Sequence, residues 1–124
     1  MKSANPYIFV DQCVEVMTYY KGLFNCKVKN LQLDDSGKCF YGELHIGESI
    51  IHFSDTFGKT DAGNQVRISL VCESEDELKR VYESLSEDAT ITVPLQQTFW
   101  GGFHANLIDR FGIGWLLNYT QNSY

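Results

Sequence analysis

The chemistry open to this sequence depends first on its histidines, because an imidazole can hold a metal ion or move a proton near neutral pH. His52 lies in an apolar run, and His104 follows Trp100-Gly101-Gly102, where two glycines make room for a ligand or for another stretch of backbone. Each histidine could line a ligand site, His52 as a metal ligand or general base, and the two could share one site. Each could instead be satisfied by hydrogen bonds within a sheet. For His52 that second interpretation is favoured, because no second metal ligand accompanies it.

Polar residues near the histidines offer further functions, each with an ordinary structural alternative. Glu43 and His45 are two residues apart on a predicted strand, so they share a face, and a solvated or cross-strand pair is the favoured interpretation. Tyr41 shares that face and could line a site. Arg67 could bind a carboxylate or phosphate through two hydrogen bonds, or it could form a surface ion pair.

The tryptophans and cysteines add fewer candidates. Trp100 could stack on an aromatic ligand at the rim of a site, whereas Trp115 is predicted to lie in the core. None of the cysteines forms a C-x-x-C pair, which argues against a zinc ribbon or a thioredoxin-type redox site. Cys13 and Cys72 have no visible activating cation or base, so we predict no thiol nucleophile. The chain has four cysteines, Cys13, Cys26, Cys39 and Cys72.

Strand and helix patterns alternate in an order that occurs twice. Alternating or β-branched apolar runs predict strands, and apolar spacings of three and four predict helices. The first set has a strand at 6–10, a helix from 11 or 12 to 25, and strands at 27–33, 39–46 and 49–54. The second has a strand at 65–72, a helix opened by a capping box at 74–77, a strand at 89–95 and a hairpin over 98–119. This repeated β-α-β-β-β order predicts an α+β fold of two modules with a concave surface between them.

The hairpin has the clearest turn signal in the chain. Asp109-Arg110-Phe111-Gly112 combines an aspartate that can cap its own backbone with a glycine that accepts a positive φ. The run 113–119 after the turn is almost wholly apolar, which predicts a strand covered on both faces.

The polar, glycine-bearing segment 55–64 separates the two sets of elements. It is predicted to be a linker and a candidate flap over a site. A chain of 124 residues with 44% hydrophobic content can bury a sizeable core. We therefore expect one domain over 1–124, with modules at about 5–54 and 65–119.

Charge and hydropathy restrict the partners. The net charge of −6 and the pI near 4.9 argue against non-specific binding to nucleic acid or to anionic membranes. No apolar run approaches the length that spans a bilayer, and the N-terminus lacks the apolar core of a signal peptide. We expect a cytoplasmic protein with reduced cysteines.

Three stretches of this sequence resemble the vicinal oxygen chelate superfamily of glyoxalases, bleomycin-resistance proteins and extradiol dioxygenases, and within it the PhnB-like branch. They are PYIFVDQCVEVMTYYKGLF, ELHIGESIIHFSD and SEDELKRVYESLSEDATITVPLQQTFWGGFHANLIDRFGIGWLLNY, at 6–24, 43–55 and 74–119. The resemblance implies two βαβββ modules forming a cup-shaped half-barrel, assembled as a homodimer with the site in the cup. A methyltransferase role is attached to some PhnB-like proteins, but no glycine-rich nucleotide loop is present here.

Metal-using members of the family hold a divalent ion with His, Gln or Glu from the first and last strands of each module, and the ion stabilises an enediolate-like charge. Carried over to this chain, those positions fall near 5–8, at His52, near Arg67 and at Leu116. Only His52 is a plausible ligand, so the resemblance predicts that the usual metal is absent.

Two functions follow as expectations. The first is metal-independent binding of a small molecule in the cup by His52, His104, Tyr41, Trp100 and Arg67, without a cofactor. The alternative is a divalent-metal-dependent lyase, isomerase or dioxygenase in which His52 converges with Glu43, His45 or His104 on one ion. Whether the protein is an enzyme is left open by the sequence.

Overall fold

The computed structural model describes residues 3–57, 66–98 and 101–120. It divides the chain into two compact units, at 1–61 and 62–124. Residues 58–64 of the predicted linker and Trp100 lie outside the described residues. No helix in the described part of the chain is long and apolar enough to cross a membrane.

The first unit is a four-stranded sheet with one helix. Its elements in chain order are β1 (Tyr7–Phe9), α1 (Cys13–Phe24), β2 (Lys27–Leu33), β3 (Cys39–Ile46) and β4 (Ser49–Ser54). The strand order is β1-β4-β3-β2, with β1 parallel to β4 and the other pairs antiparallel.

The second unit repeats this topology. Its elements are β5 (Ile68–Val71), α2 (Glu75–Leu85), β6 (Thr90–Gln97), β7 (Gly102–Ile108) and β8 (Gly114–Thr120). The strand order is β5-β8-β7-β6, and β5 is parallel to β8. The predicted α+β class and the two βαβββ modules are thus confirmed. β5 is shorter than the predicted strand 65–72, so Arg67 precedes the strand instead of lying in it.

In each unit the helix packs on one face of its own sheet. In the first, Val16, Met17 and Tyr20 of α1 are buried, and the Tyr20 ring lies 6.0 Å from that of Phe53 on β4. A Cβ at Gly42 on β3 would approach Met17 Sδ to 2.9 Å, so the Gly42 face of β3 is the one under the helix. Because side chains alternate along a strand, the neighbours of Gly42 point to the opposite, helix-free face.

The two helices begin differently. Gln12 precedes α1 in the left-handed region and makes no side-chain cap, whereas Ser74 accepts a hydrogen bond from Glu77 N at the start of α2. The predicted capping box is only partly correct. Glu77 Oε1 accepts from the backbone N of Glu73, one residue before the serine that a standard box would satisfy.

The turn between β7 and β8 forms as predicted around the buried Asp109. Its Oδ1 accepts hydrogen bonds from the backbone N of Phe111 and Ile113, at 2.9 and 3.0 Å, and Gly112 has a φ of 86°. Its Oδ2 accepts from Nε1 of Trp115 at 2.8 Å, and Trp115 is fully buried, as predicted. The prediction that both faces of this last strand are covered is wrong, since Trp115 and Leu117 are buried whereas Leu116 and Asn118 are only half-buried.

Gly102, the second of the two glycines after position 100, lies close to the neighbouring strand. A Cβ at Gly102 would lie 2.3 Å from the carbonyl oxygen of Tyr119 and 2.9 Å from Cγ2 of Thr120. At Gly102, therefore, the space is needed for the close approach of β8.

We expect Gly102→Ala to destabilise the protein by about 1–3 kcal/mol, because the backbone of β8 must move to admit the methyl group. Gly22→Ala is the matched control, since it adds the same methyl group in the last turn of α1, where nothing lies within 4 Å. This control should gain up to about 1 kcal/mol from helix propensity. Chemical denaturation measures both free energies of unfolding. Equal values for the two variants would contradict the proposed close approach.

Candidate functional site

Five side chains form a polar and aromatic group on the helix-free face of the first sheet. We call this group the Glu43 cluster, and its members are Tyr7, Tyr41, Glu43, His45 and His52. Tyr41, Glu43 and His45 share a face because they alternate along β3. Antiparallel pairing places His52 of β4 opposite Glu43, and parallel pairing places Tyr7 of β1 opposite His52.

The carboxylate of Glu43 joins the polar members of the cluster. Its Oε1 is 2.7 Å from Nε2 of His45 and accepts a hydrogen bond from Nδ2 of Asn30 at 3.0 Å. Its Oε2 accepts from the hydroxyl of Tyr41. Asn30 reaches this face from an irregular part of β2, where its φ is 55° and the pairing with β3 shifts by one residue. Both carboxylate oxygens are therefore engaged, with 12% of the Glu43 side chain exposed.

The hydroxyl of Tyr41 connects Glu43 to His52. Its oxygen lies 2.8 Å from Nδ1 of His52. A tyrosine hydroxyl has one proton, and here it is donated to Glu43, so the oxygen must accept from His52. The Nδ1 atom of His52 therefore carries a proton, and the cluster forms one chain from His52 through Tyr41 to Glu43.

Aromatic rings lie beside this chain of hydrogen bonds. The ring of Tyr7 is stacked on the imidazole of His52, with centroids 5.8 Å apart and planes 13° apart. The ring of Phe9 lies 4.8 Å from that of Tyr7. Tyr7 and Phe9 are 44% and 54% exposed, so apolar ring surface is accessible beside the imidazole.

The hydrogen bonds separate the pKa values of the two acidic groups. The hydroxyl of Tyr41, followed by His45 and Asn30, lowers the pKa of Glu43 from 4.5 to about 2. The same hydrogen bond with Glu43 raises the pKa of Tyr41 to about 12. Glu43 is thus an ionised acceptor and Tyr41 a neutral donor across the physiological range.

A lowered carboxyl pKa in the folded chain gives a pH-dependent contribution to stability. The contribution of Glu43 is present in full above the ordinary pKa of 4.5 and is lost as the pH falls towards about 2. The cross-strand neighbours of Glu43 are Lys29 on β2 and His52 on β4.

The second unit has polar groups of its own. Nε of Arg67 donates to Oδ1 of Asn106 at 3.2 Å, and the arginine covers Gly114, where a Cβ would lie 2.4 Å from Cδ of Arg67. Nδ1 of His104 is 2.8 Å from Oδ1 of Asn118, and Nδ2 of Asn118 donates to Oγ of Ser69 at 3.3 Å. His104 is therefore hydrogen-bonded within its sheet.

The predicted site residues separate into groups. The structure brings His52 and Tyr41 together, along with Glu43 and His45. His104 and Arg67 belong to the second unit, and Trp100 is outside the described residues. For His52 the sequence favoured a histidine that is satisfied by hydrogen bonds within the sheet. That interpretation applies to one ring nitrogen, Nδ1, which is bonded within the sheet.

Tyr7 and Asn30 belong to the site but were missed by the sequence analysis. The contact of Tyr7 depends on the pairing of β1 with β4, more than forty residues later. The contact of Asn30 depends on a shift of register in β2. Neither leaves a local pattern in the sequence.

The family positions for metal ligands can be located by comparing the two sheets. The backbone N of Val10 bonds to Ser54 O and that of Cys72 to Asn118 O, so the two parallel pairs have the same register. Counting back two residues on β4 and β8 makes Leu116 the equivalent of His52. The partner of His52 is Tyr7, and that of Leu116 is Ser69, two residues after Arg67.

Neither unit offers the usual donors for a divalent ion at these positions. The first unit has a phenol and one imidazole and the second a hydroxyl and an alkyl side chain, whereas metal-using members have His, Gln or Glu. No group of three or more His, Cys, Asp or Glu that could hold a metal ion occurs in 3–57, 66–98 and 101–120. We therefore derive no chemical step through a metal.

The thiols offer no alternative centre of reactivity. Cys13 and Cys72 are buried, and burial raises the pKa of both, that of Cys72 to about 11. A raised pKa leaves little thiolate at neutral pH, which agrees with the absence of a predicted nucleophile.

Comparisons with known proteins agree with this architecture. Residues 4–117 match the family model described as the Glyoxalase/Bleomycin resistance protein/Dioxygenase superfamily. Protein YjdN of Escherichia coli (strain K12) is 24% identical over an alignment of 141 residues that covers 94% of this chain and 95% of that protein.

Two solved structures are similar to the chain in fold. Protein PA1353 from Pseudomonas aeruginosa has a TM-score of 0.85 and 23% identity, covering 98% of this chain and 100% of the other. A Bacillus cereus PhnB protein described as a putative 3-demethylubiquinone-9 3-methyltransferase has a TM-score of 0.85 and 19% identity, covering 96% and 100%.

We expect Tyr41→Phe to raise the pKa of Glu43 from about 2 towards 4.5, because it removes the largest cause of the shift. The rise should be incomplete, since His45 and Asn30 still donate to the carboxylate. A pH titration of the Glu43 carboxyl carbon by NMR measures it. Tyr82→Phe on α2 removes the same hydroxyl group elsewhere and should leave Glu43 unchanged. An unaltered Glu43 pKa in Tyr41→Phe would show that the hydrogen bond is not formed.

Proposed function

Because the chain belongs to the glyoxalase/bleomycin resistance protein/dioxygenase superfamily, we propose that it binds a small organic molecule without a metal ion. The observation that carries the proposal is the Glu43 cluster, in which the half-exposed ring of Tyr7 is stacked on a histidine of fixed orientation, with Phe9 packed against Tyr7. Apolar surface with a few well-placed polar groups is the usual composition of a small-molecule site.

The hydrogen bonds of the cluster support binding because they orient its polar groups before a ligand arrives. Glu43 is held by three donors and His52 by one acceptor, so little side-chain freedom is lost on association. Preorganisation of this kind improves affinity by lowering the entropic cost of ordering.

The remaining predicted ligand contacts are part of the same proposal. His104 and Arg67 are candidates on the second unit, where a guanidinium suits a carboxylate or phosphate ligand. Trp100 stays a prediction, since it lies outside the described residues. We further propose that the protein is a cytoplasmic homodimer and that it falls in the PhnB-like branch, in line with its similarity to the Bacillus cereus PhnB protein.

The metal-dependent alternative, a lyase, isomerase or dioxygenase with an unusual ligand set, would require the cluster to be rearranged. Both oxygens of Glu43, Nε2 of His45 and Nδ1 of His52 already bond to one another or to Tyr41 and Asn30. Metal binding at this face would have to break several of these hydrogen bonds. We therefore favour binding of the small molecule by the side chains themselves, without a metal ion.

We expect protein purified without chelators or a metal-binding tag to contain far less than one metal ion per chain by elemental analysis. Added nickel, zinc, iron or manganese should not raise its melting temperature, because the described residues offer no suitable donor set. The metal-free protein should still bind compounds from a fragment library in ligand-observed NMR.

His52→Ala should weaken the binding of those compounds, whereas Glu83→Ala, an exposed change on the outer side of α2, should not. The opposite result is equally clear: about one ion per chain that is lost in His52→Ala would replace this proposal with the metal-dependent one. Metal-free protein that binds no compound would contradict the proposed function directly.

A further inference from the structure

The proton positions in the Glu43 cluster determine what kind of ligand its histidine can recognise. We propose that Nε2 of His52 accepts a hydrogen bond from the ligand, so that the site selects planar compounds carrying a neutral O–H or N–H donor. This inference rests on the proposed function, because it concerns the same site.

The first step is the direction of each hydrogen bond. The ionised carboxylate of Glu43 can only accept, so Tyr41 donates its single proton to it. The oxygen of Tyr41 then accepts from Nδ1 of His52. In the neutral imidazole the one ring proton is on Nδ1, which leaves a lone pair on Nε2. Tyr41 and Glu43 are thus positioning residues that set the tautomer of His52.

The second step is the accessibility of the lone pair. None of the described residues forms a hydrogen bond with Nε2 of His52. In that same part of the chain, no buried side-chain nitrogen or oxygen lacks a partner. Nε2 must therefore reach the surface, where it can meet a donor on a ligand.

The third step is the shape of the surroundings. The Tyr7 ring lies nearly parallel to the imidazole and is half-exposed, and Phe9 extends the same aromatic surface. A flat ring can pack against this surface through offset stacking or edge contacts. An acceptor beside exposed aromatic rings favours phenols, hydroxyheteroaromatics and ring N–H compounds over carboxylates, which would bring a second anion close to Glu43.

The test uses two probes of nearly equal shape, 4-fluorophenol and 1,4-difluorobenzene, which differ in one donor and are both observed by fluorine NMR. The comparison is made at about pH 8, above the reference pKa of a free imidazole and below that of a free phenol. The phenol should bind about fivefold more tightly, the value of one net hydrogen bond.

Tyr41→Phe should reduce this preference to nearly none, because Nδ1 then has no acceptor and the tautomer is no longer held. Tyr82→Phe on α2 is the matched control and should keep the full preference. Nitrogen NMR of the imidazoles gives the second readout: His52 should carry its proton on Nδ1 in the native protein and change towards the Nε2–H form in Tyr41→Phe. Melting temperatures show that the variants are folded.

The outcomes separate this inference from the proposed function. Equal affinity for the two probes, or a proton on Nε2 of His52 in the native protein, would overturn the inference even if binding occurs. Failure of both probes, while the metal-free protein binds other fragments, would also overturn the inference and leave the proposed function standing.

Discussion

The arrangement of the first sheet's helix-free face depends on one ionised carboxylate. Glu43 receives hydrogen bonds from Tyr41, His45 and Asn30, and these come from two strands. A half-buried carboxylate is costly unless its oxygens are satisfied, so the donors must be present and aimed at it. Their orientation in turn sets the direction of the Tyr41 hydroxyl and, through it, the proton of His52.

The duplicated architecture shows how far the two modules have diverged. With the sheets aligned by register, the equivalent of His52 is Leu116 and that of Glu43 is Asn106, while His104 takes the place of Tyr41. The second face therefore has amide and imidazole hydrogen bonds but no carboxylate at its centre. The asymmetry gives the first sheet an ionised acceptor and the second a guanidinium, that of Arg67, bonded to Asn106. Equivalent backbones thus present opposite charges.

Local patterns predicted most elements because each depends on a short-range effect. The bounds of β2, β3 and β4 agree with the prediction residue for residue, since alternation and turn residues mark them. Asp109 forms its turn as expected, because an aspartate side chain reaches the amides two and four residues on. The features that the sequence predicted wrongly depend on contacts with distant parts of the chain. β5 begins only at Ile68, where its pairing with β8 begins. One face of β8 is less covered than its apolar sequence indicates.

The sequence by itself determined that Tyr41, Glu43 and His45 share a face, because the period of a strand is two residues. It also determined the family, through stretches that cover most of the chain. Only the tertiary structure decided that His52 lies opposite Glu43, through the register of β3 with β4. It also decided that Tyr7 joins that face, because parallel pairing of β1 with β4 is a long-range contact. Asn30 reaches the same face through a shift in the register of β2 that no local sequence pattern reveals. The proton on Nδ1 of His52 follows from all these contacts together, since a hydrogen-bond direction is defined only when every partner is in place.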